Sequence, residues 1–193
     1  MPSLSEEDRK AILELARQAV LHAVWNERPL STFPTTGIFA EHRGLFVTLH
    51  AGKKLRGCIG MIEGHTNLGE TLVRCAVDAA LHDPRFSRMR AEEMDTLEIE
   101  VSLLSPLLPI RPEEVEIGNH GLLVERGPRR GLLLPQVAVE HRLSREQFLT
   151  ETCVKAGLPR EAWKDPETKL YGFHCEIIAE ERGEGAETQS PRH

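Results

Sequence analysis

The chain has 193 residues, 24 Lys and Arg against 30 Asp and Glu, a formal charge of −6 and 40% hydrophobic residues, so one domain, or one domain with a small lobe, can bury a sizeable core. The negative balance argues against a general nucleic-acid or membrane-surface binder, because long-range attraction to either polyanion is missing. No apolar run reaches about 18 residues, the acidic start Ser3 to Asp8 lacks the parts of a signal peptide, and the four cysteines include no Cys-x-x-Cys pair, so a reducing cytoplasm is the expected location.

Ser5 with Asp8 predicts a helix start, and Ile12, Leu13, Ala16, Ala19, Val20 and Ala23 supply one apolar stripe. Pro29 and Pro34 end that helix, and Gly37 to Ala40 reads as a short strand. A hairpin follows, with Gly44 to Leu49 as one arm, Ala51 to Lys54 as its turn and Leu55 to Gly60 as the other arm. Asn67 and Glu70 predict a second helix through Leu72, Ala76, Ala79 and Ala80, which Asp83-Pro84 stops. Leu97, Ile99, Val101 and Leu103 alternate with polar residues as a half-buried strand, and Pro106, Pro109 and Pro112 punctuate a connector. Gly121 to Val124 then repeats Gly44 to Val47, and Gly131 to Gln136 takes the place of the second arm. Ser144 with Gln147 boxes the start of a helix on Phe148, Leu149, Thr152, Cys153 and Ala156, which Gly157 closes. Tyr171, Phe173, Cys175 and Ile177 alternate as a last strand, and residues 183–193 read as a disordered tail. The whole is an α+β pattern with two unequal lobes and approximately duplicated hairpin-plus-helix units.

The stretch Leu55-Arg56-Gly57-Cys58-Ile59-Gly60 is the best candidate for chemistry. Alternation along a strand puts Arg56 and Cys58 on one face, and a guanidinium beside a thiol favours the thiolate. Gly57 and Gly60 remove bulk where something must approach the backbone. Two readings of Cys58 stand side by side: a small apolar residue of a buried strand, or a nucleophile or ligand-binding thiol with Arg56 holding an anionic substrate. Arg56 has the alternative of pairing with Glu98 or Glu100 on a neighbouring strand. In the run from His82 to Phe86, His82 and Arg85 suit the exposed carbonyls of a helix end, or His82 serves as general base for Cys58.

The segments Gly44 to Leu49, Leu55 to Gly60, Asp83-Pro84-Arg85-Phe86, Glu100 to Leu104, Leu133 to Val137 and Cys153 to Leu158 together resemble the AMMECR domain family, over roughly Arg9 to Glu181. The resemblance implies a single α+β domain (9–182) of two unequal lobes with internally related units. It also implies company, because bacterial and archaeal members are often encoded beside, or fused to, a Memo-like protein and a radical S-adenosylmethionine enzyme. The family carries no settled reaction. The expected function is therefore work in an assembly with such partners through the Arg56/Cys58 face, the alternative being a free-standing small-molecule enzyme that uses Cys58.

The expected site accordingly comprises Cys58 and His82 as catalytic candidates, with Arg56, Gly57, Gly60, Asp83, Arg85, His120 and Gln136 for binding a small anionic ligand. Gln136 enters because it ends the second arm near the place Gly60 holds in the first, so that both ends face one cleft. No His-x-His or His-Glu-x-x-His spacing and no phosphate-binding glycine loop occur, so no metal or cofactor is expected.

Overall fold

The computed structural model describes residues 4–180; the tail expected to be disordered lies outside them. The first helix, α1 (Glu6–Asn26), starts where the Ser5 side chain accepts the Asp8 N–H, and it buries Ile12, Leu15, Ala16, Ala19, Val20 and Ala23. Residues Gly37–Ala40 form one 3₁₀ turn instead of a strand. Gly37 sits at φ +61°, in the left-handed region that an extended strand does not use.

Strands β1 (Leu45–Ala51) and β2 (Lys54–Met61) make the predicted hairpin. Helix α2 (Leu68–Leu81) follows, capped by Asn67, whose side chain accepts the Glu70 N–H. It is apolar almost all round because α1 covers one side of it and the β1–β2 hairpin the other. Strand β3 (Leu97–Leu104) pairs antiparallel with β1 and turns Leu97, Ile99, Val101 and Leu103 toward the helices.

A second, smaller unit repeats the plan. Strand β4 (Leu108–Pro109) is a two-residue edge, β5 (Gly121–Arg126) and β6 (Arg129–Leu133) form the second hairpin, α3 (Pro135–Glu140) and α4 (Arg145–Lys155) cover it, and β7 (Lys169–Phe173) pairs with β5. The last strand is β8 (Cys175–Ala179). Each unit has its own apolar core, the larger around Leu45, Leu72 and Ile99, the smaller around Leu122, Phe148 and Leu149.

The two sheets run β2-β1-β3-β8 and β4-β7-β5-β6, all antiparallel. Each therefore has a hairpin at one edge, then a third strand, then a fourth; in the larger sheet that fourth strand, β8, follows the whole smaller unit, whose own strands β4 to β7 are consecutive in the chain. After β3 the chain crosses to supply β4, and after β7 it crosses back to supply β8. The single strand expected over Tyr171 to Ile177 is thus two strands in two sheets, divided at His174. The alternating face does not survive the crossing: Phe173 is buried in β7, but in β8 Ile178 is the buried residue and Ile177 is exposed. The crossings bind each other: the Ser105 N–H donates to the His174 carbonyl at 2.9 Å, and the His174 N–H donates to Ser105 Oγ at 2.9 Å. No helix among the described residues is long and apolar enough to cross a membrane.

Candidate functional site

Strand β2 lies at the edge of its sheet, so the outward N–H and C=O of Cys58 have no strand to meet. The loop after α2 meets them instead. Asp83 Oδ2 accepts the Cys58 N–H at 2.9 Å, and Arg85 Nη2 donates to the Cys58 carbonyl at 3.1 Å, so an Asp-Pro-Arg segment stands in for a fifth strand. Arg85 is held in turn by Asp83, through Nε to Oδ1 at 3.0 Å and Nη2 to Oδ2 at 2.7 Å, while its own backbone N–H donates to Oδ1 at 3.1 Å. The Asp83 side chain is 1% exposed and the Arg85 side chain 54%. The Arg85 guanidinium, and then the Cys58 and Arg85 N–H groups, hold the Asp83 carboxyl well below the usual carboxylate range, against the opposing effect of burial. Asp83, expected as a binding residue, is therefore the concealed support, and Arg85 is the cation presented to solvent.

Because the outward groups of Cys58 point away from β1, Cys58 and Thr48 form a non-hydrogen-bonded pair, the arrangement that brings facing side chains closest. Thr48 Oγ1 lies 3.4 Å from Cys58 Sγ. Glu100 is the next residue in this row, opposite Thr48 on β3. The row lies on the sheet face away from α1 and α2, and Cys58 is partly exposed there. The Arg85 guanidinium also interacts with the Cys58 side chain, so the cation next to the thiol is Arg85.

Arg56 does something else. The ladder pairs Leu49 with Gly57 and His50 with Leu55, which leaves Arg56 as the extra residue of a β-bulge. The bulge re-aims its side chain. Arg56 pairs with Glu93, in the 3₁₀ turn Ala91–Thr96, through Nε at 2.6 Å and Nη2 at 3.1 Å. Its side chain is only 12% exposed, with Cζ 6.0 Å from the centre of the Phe86 ring, and the same ring has Arg85 Cζ 5.5 Å from it. Arg56 holds Glu93 below the ordinary carboxylate range. Arg56 is thus tied to Glu93, and Arg85 is the guanidinium bonded at Cys58.

The glycines admit the protein's own atoms. A Cβ on Gly57 would lie 2.1 Å from the Ala79 carbonyl oxygen of α2, and one on Gly60 would lie 2.3 Å from the Phe46 ring. His82 caps α2 with Nδ1 2.8 Å from Asp78 Oδ1, on the exposed side of the helix end. Gln136 is half-buried in the first turn of α3, beyond the second hairpin, whose ladder stops at Leu133; it is not the ladder counterpart of Gly60, which pairs with Phe46. His120 lines a cavity of about 280 Å³ where the two crossings of the chain meet, one that Cys58 does not line. Thr48, Glu93 and His174 were missed as participants. Thr48 was legible in the hairpin alternation once its register is drawn, and Glu93 in its spacing from Arg90, whose N–H its carboxylate accepts at 2.8 Å.

The other three cysteines are more enclosed or raised by their surroundings. Burial pushes Cys75 up to about 12 and Cys175 up to about 11, and raises Cys153. Among the described residues no three His, Cys, Asp or Glu side chains converge as a metal site.

Fold and site together define a class: a two-unit α+β protein in which an Asp-Pro-Arg-Phe loop clamps the edge strand carrying a partly exposed cysteine. The family model of AMMECR1 matches residues 13–178, and the chain belongs to that family. Protein MK0488 of Methanopyrus kandleri is 41% identical, over 94% of this chain and 93% of that protein. A Thermococcus gammatolerans protein is 41% identical over 99% of each chain. The crystal structure of protein PH0010 from Pyrococcus horikoshii is similar with a TM-score of 0.86 at 39% identity, covering 92% of this chain and 94% of that one.

Proposed function

We propose that Cys58 and Arg85 form a thiol site for a small anionic ligand, in which Arg85 binds its anionic group beside the Cys58 thiol. The observation that carries this reading is the half-exposed Arg85 guanidinium, fixed by buried Asp83, on the backbone and side chain of a partly exposed cysteine. A cation pre-oriented by a carboxylate loses little freedom on binding an anion. The test is competitive labelling with iodoacetate, an anion, and iodoacetamide, its neutral counterpart. Cys58 labels before Cys75, Cys153 and Cys175, and Arg85→Gln slows iodoacetate several-fold more than iodoacetamide. Slower labelling of Cys58 than of the other three, or an equal loss for both reagents, overturns the reading.

The assembly with a Memo-like protein and a radical S-adenosylmethionine enzyme is proposed for the same face, with Arg85 in place of Arg56 as the contact. Arg56 is tied to Glu93 and covered, whereas Arg85 is half exposed beside the thiol. Calorimetry with the two neighbouring gene products is the test. Salt-sensitive binding that Arg85→Gln weakens supports this contact, and binding indifferent to that change refutes it.

A further inference from the structure

Where the two chain crossings meet, His120 and His174 stand side by side with ring centres 5.1 Å apart, and both line the cavity of about 280 Å³. Their backbone partners fix which nitrogen of each ring carries the proton. The Glu116 N–H donates to His120 Nδ1 at 3.1 Å, so Nδ1 holds a lone pair and the neutral ring is protonated at Nε2. His174 Nδ1 lies 3.3 Å from the Asn119 carbonyl oxygen, which only accepts, so Nδ1 carries the proton and Nε2 holds the lone pair. Both Nδ1 atoms are used by the protein. What remains is one N–H donor, on His120, and one bare nitrogen acceptor, on His174.

Such a pair does not chelate a metal through both Nε2 atoms, because His120 would have to surrender the bond from Glu116 to free its Nε2. Nor does the cavity suit an anion. Burial, and then the neighbouring His174, lower the pKa of His120 despite the opposing pull of Glu116, so the ring stays uncharged near neutrality. The carboxylate in the wall, Glu114, is already bonded to Arg111 at 2.9 Å, which leaves no cation free there. The lining also includes Ser105, whose hydroxyl already accepts the His174 N–H, and apolar surface from Pro106, Leu108, Pro109, Ile110 and Phe173. Apolar walls with a few convergent polar groups are what a small organic ligand requires, and this volume, at the small end of the usual range, suits a single ring.

We propose that this cavity is a second ligand site, independent of Cys58, that takes a small uncharged cyclic amide, its carbonyl accepting from His120 Nε2–H and its N–H donating to His174 Nε2. The complementary edge of a lactam matches one donor and one acceptor, and its ring lies against the apolar walls.

Two-bond ¹H–¹⁵N spectra of the imidazoles in the full chain at pH 7.5 read the tautomers directly. His120 is the Nε2–H tautomer and His174 the Nδ1–H tautomer; the same tautomer on both rings, or protonation of either, overturns the proposal. Titration with 2-pyridone as the probe shifts both sets of imidazole signals. N-methyl-2-pyridone, which keeps the carbonyl and lacks the N–H, binds about tenfold more weakly. Equal binding of the two probes, or no shift with 2-pyridone at millimolar concentration, refutes the site. His120→Phe abolishes the response at His174 while the protein remains folded by circular dichroism; should that variant unfold, the comparison of probes on the unaltered chain decides. Alkylation of Cys58 leaves the titration unchanged, so failure of the thiol reading and failure of this one are distinguishable, and coupled loss of both would refute the independence claimed here.

Discussion

Asp83 bonds the edge strand and orients the cation that strand presents, and both duties need its negative charge. Its carboxyl titrates below the ordinary range in the folded protein, as does that of Glu93. A depressed carboxylate contributes stability that is fully present above the unfolded value of about 4 and is lost as pH falls from there toward the folded value. Asp83→Asn should therefore cost about 1–3 kcal/mol at pH 7, the cost of impairing a buried hydrogen-bonded charge, and the gap from the unaltered chain should close below about pH 4. Urea titrations at several pH values measure it, and a gap constant with pH would mean that the charge is not what matters. The sequence made Asp83 and Arg85 visible as a helix stop. It did not show that the stop folds back onto the strand 25 residues earlier, because hydrogen bonds to a sheet edge leave no periodic trace.

Each hairpin meets its helix through a glycine. Gly57 of β2 faces the Ala79 carbonyl oxygen, where a Cβ would lie 2.1 Å away, and Gly131 of β6 faces Ala156 N at the end of α4, where a Cβ would lie 2.3 Å away. In both cases the obstacle is backbone, which cannot rotate aside. Gly57→Ala and Gly131→Ala should each lower stability by about 1–3 kcal/mol, as overpacking does, with strand and helix forced apart. Denaturant midpoints check this; an alanine tolerated at either position would mean that the hairpin and helix slide easily. The glycines were visible in the sequence, and so was the alternation of β1 and β3. The bulge was not: inserting Arg56 leaves the pattern of residue types intact while turning its side chain to another partner. Likewise the alternation of residue types through His174 concealed a change of sheet.

At the scale of the molecule, the smaller unit is inserted between β3 and β8 of the larger one. The larger unit is also closed around its ends, with Arg17 Nε and Nη2 each 2.5 Å from the Glu180 carboxylate and Glu180 Oε2 accepting the Ile99 N–H at 2.9 Å. Unfolding should be one transition despite two cores, since the larger sheet gains β8 only after the chain has passed through the smaller unit, and the two crossings are bonded to each other at Ser105 and His174. The chain's two tryptophans divide between the units, Trp25 on α1 and Trp163 packed against the smaller core. Phe148→Ala, in that smaller core, should lower stability by about 3–5 kcal/mol, and single-tryptophan variants keeping either Trp25 or Trp163 should report the same shifted midpoint. Separate midpoints would show that the units melt independently.

The insertion also fixes an order of events during synthesis. Helices α1 and α2 and strands β1 to β3 leave the ribosome first, yet the open side of β3 waits for β8, whose residues 175–179 come after the entire smaller unit has been made. For most of its birth the nascent protein carries one bare strand margin, able to join a neighbouring chain as readily as its own. The portion built earliest is sealed last, so a stalled or prematurely terminated message leaves behind a chain with a large, nearly finished core and an adhesive side.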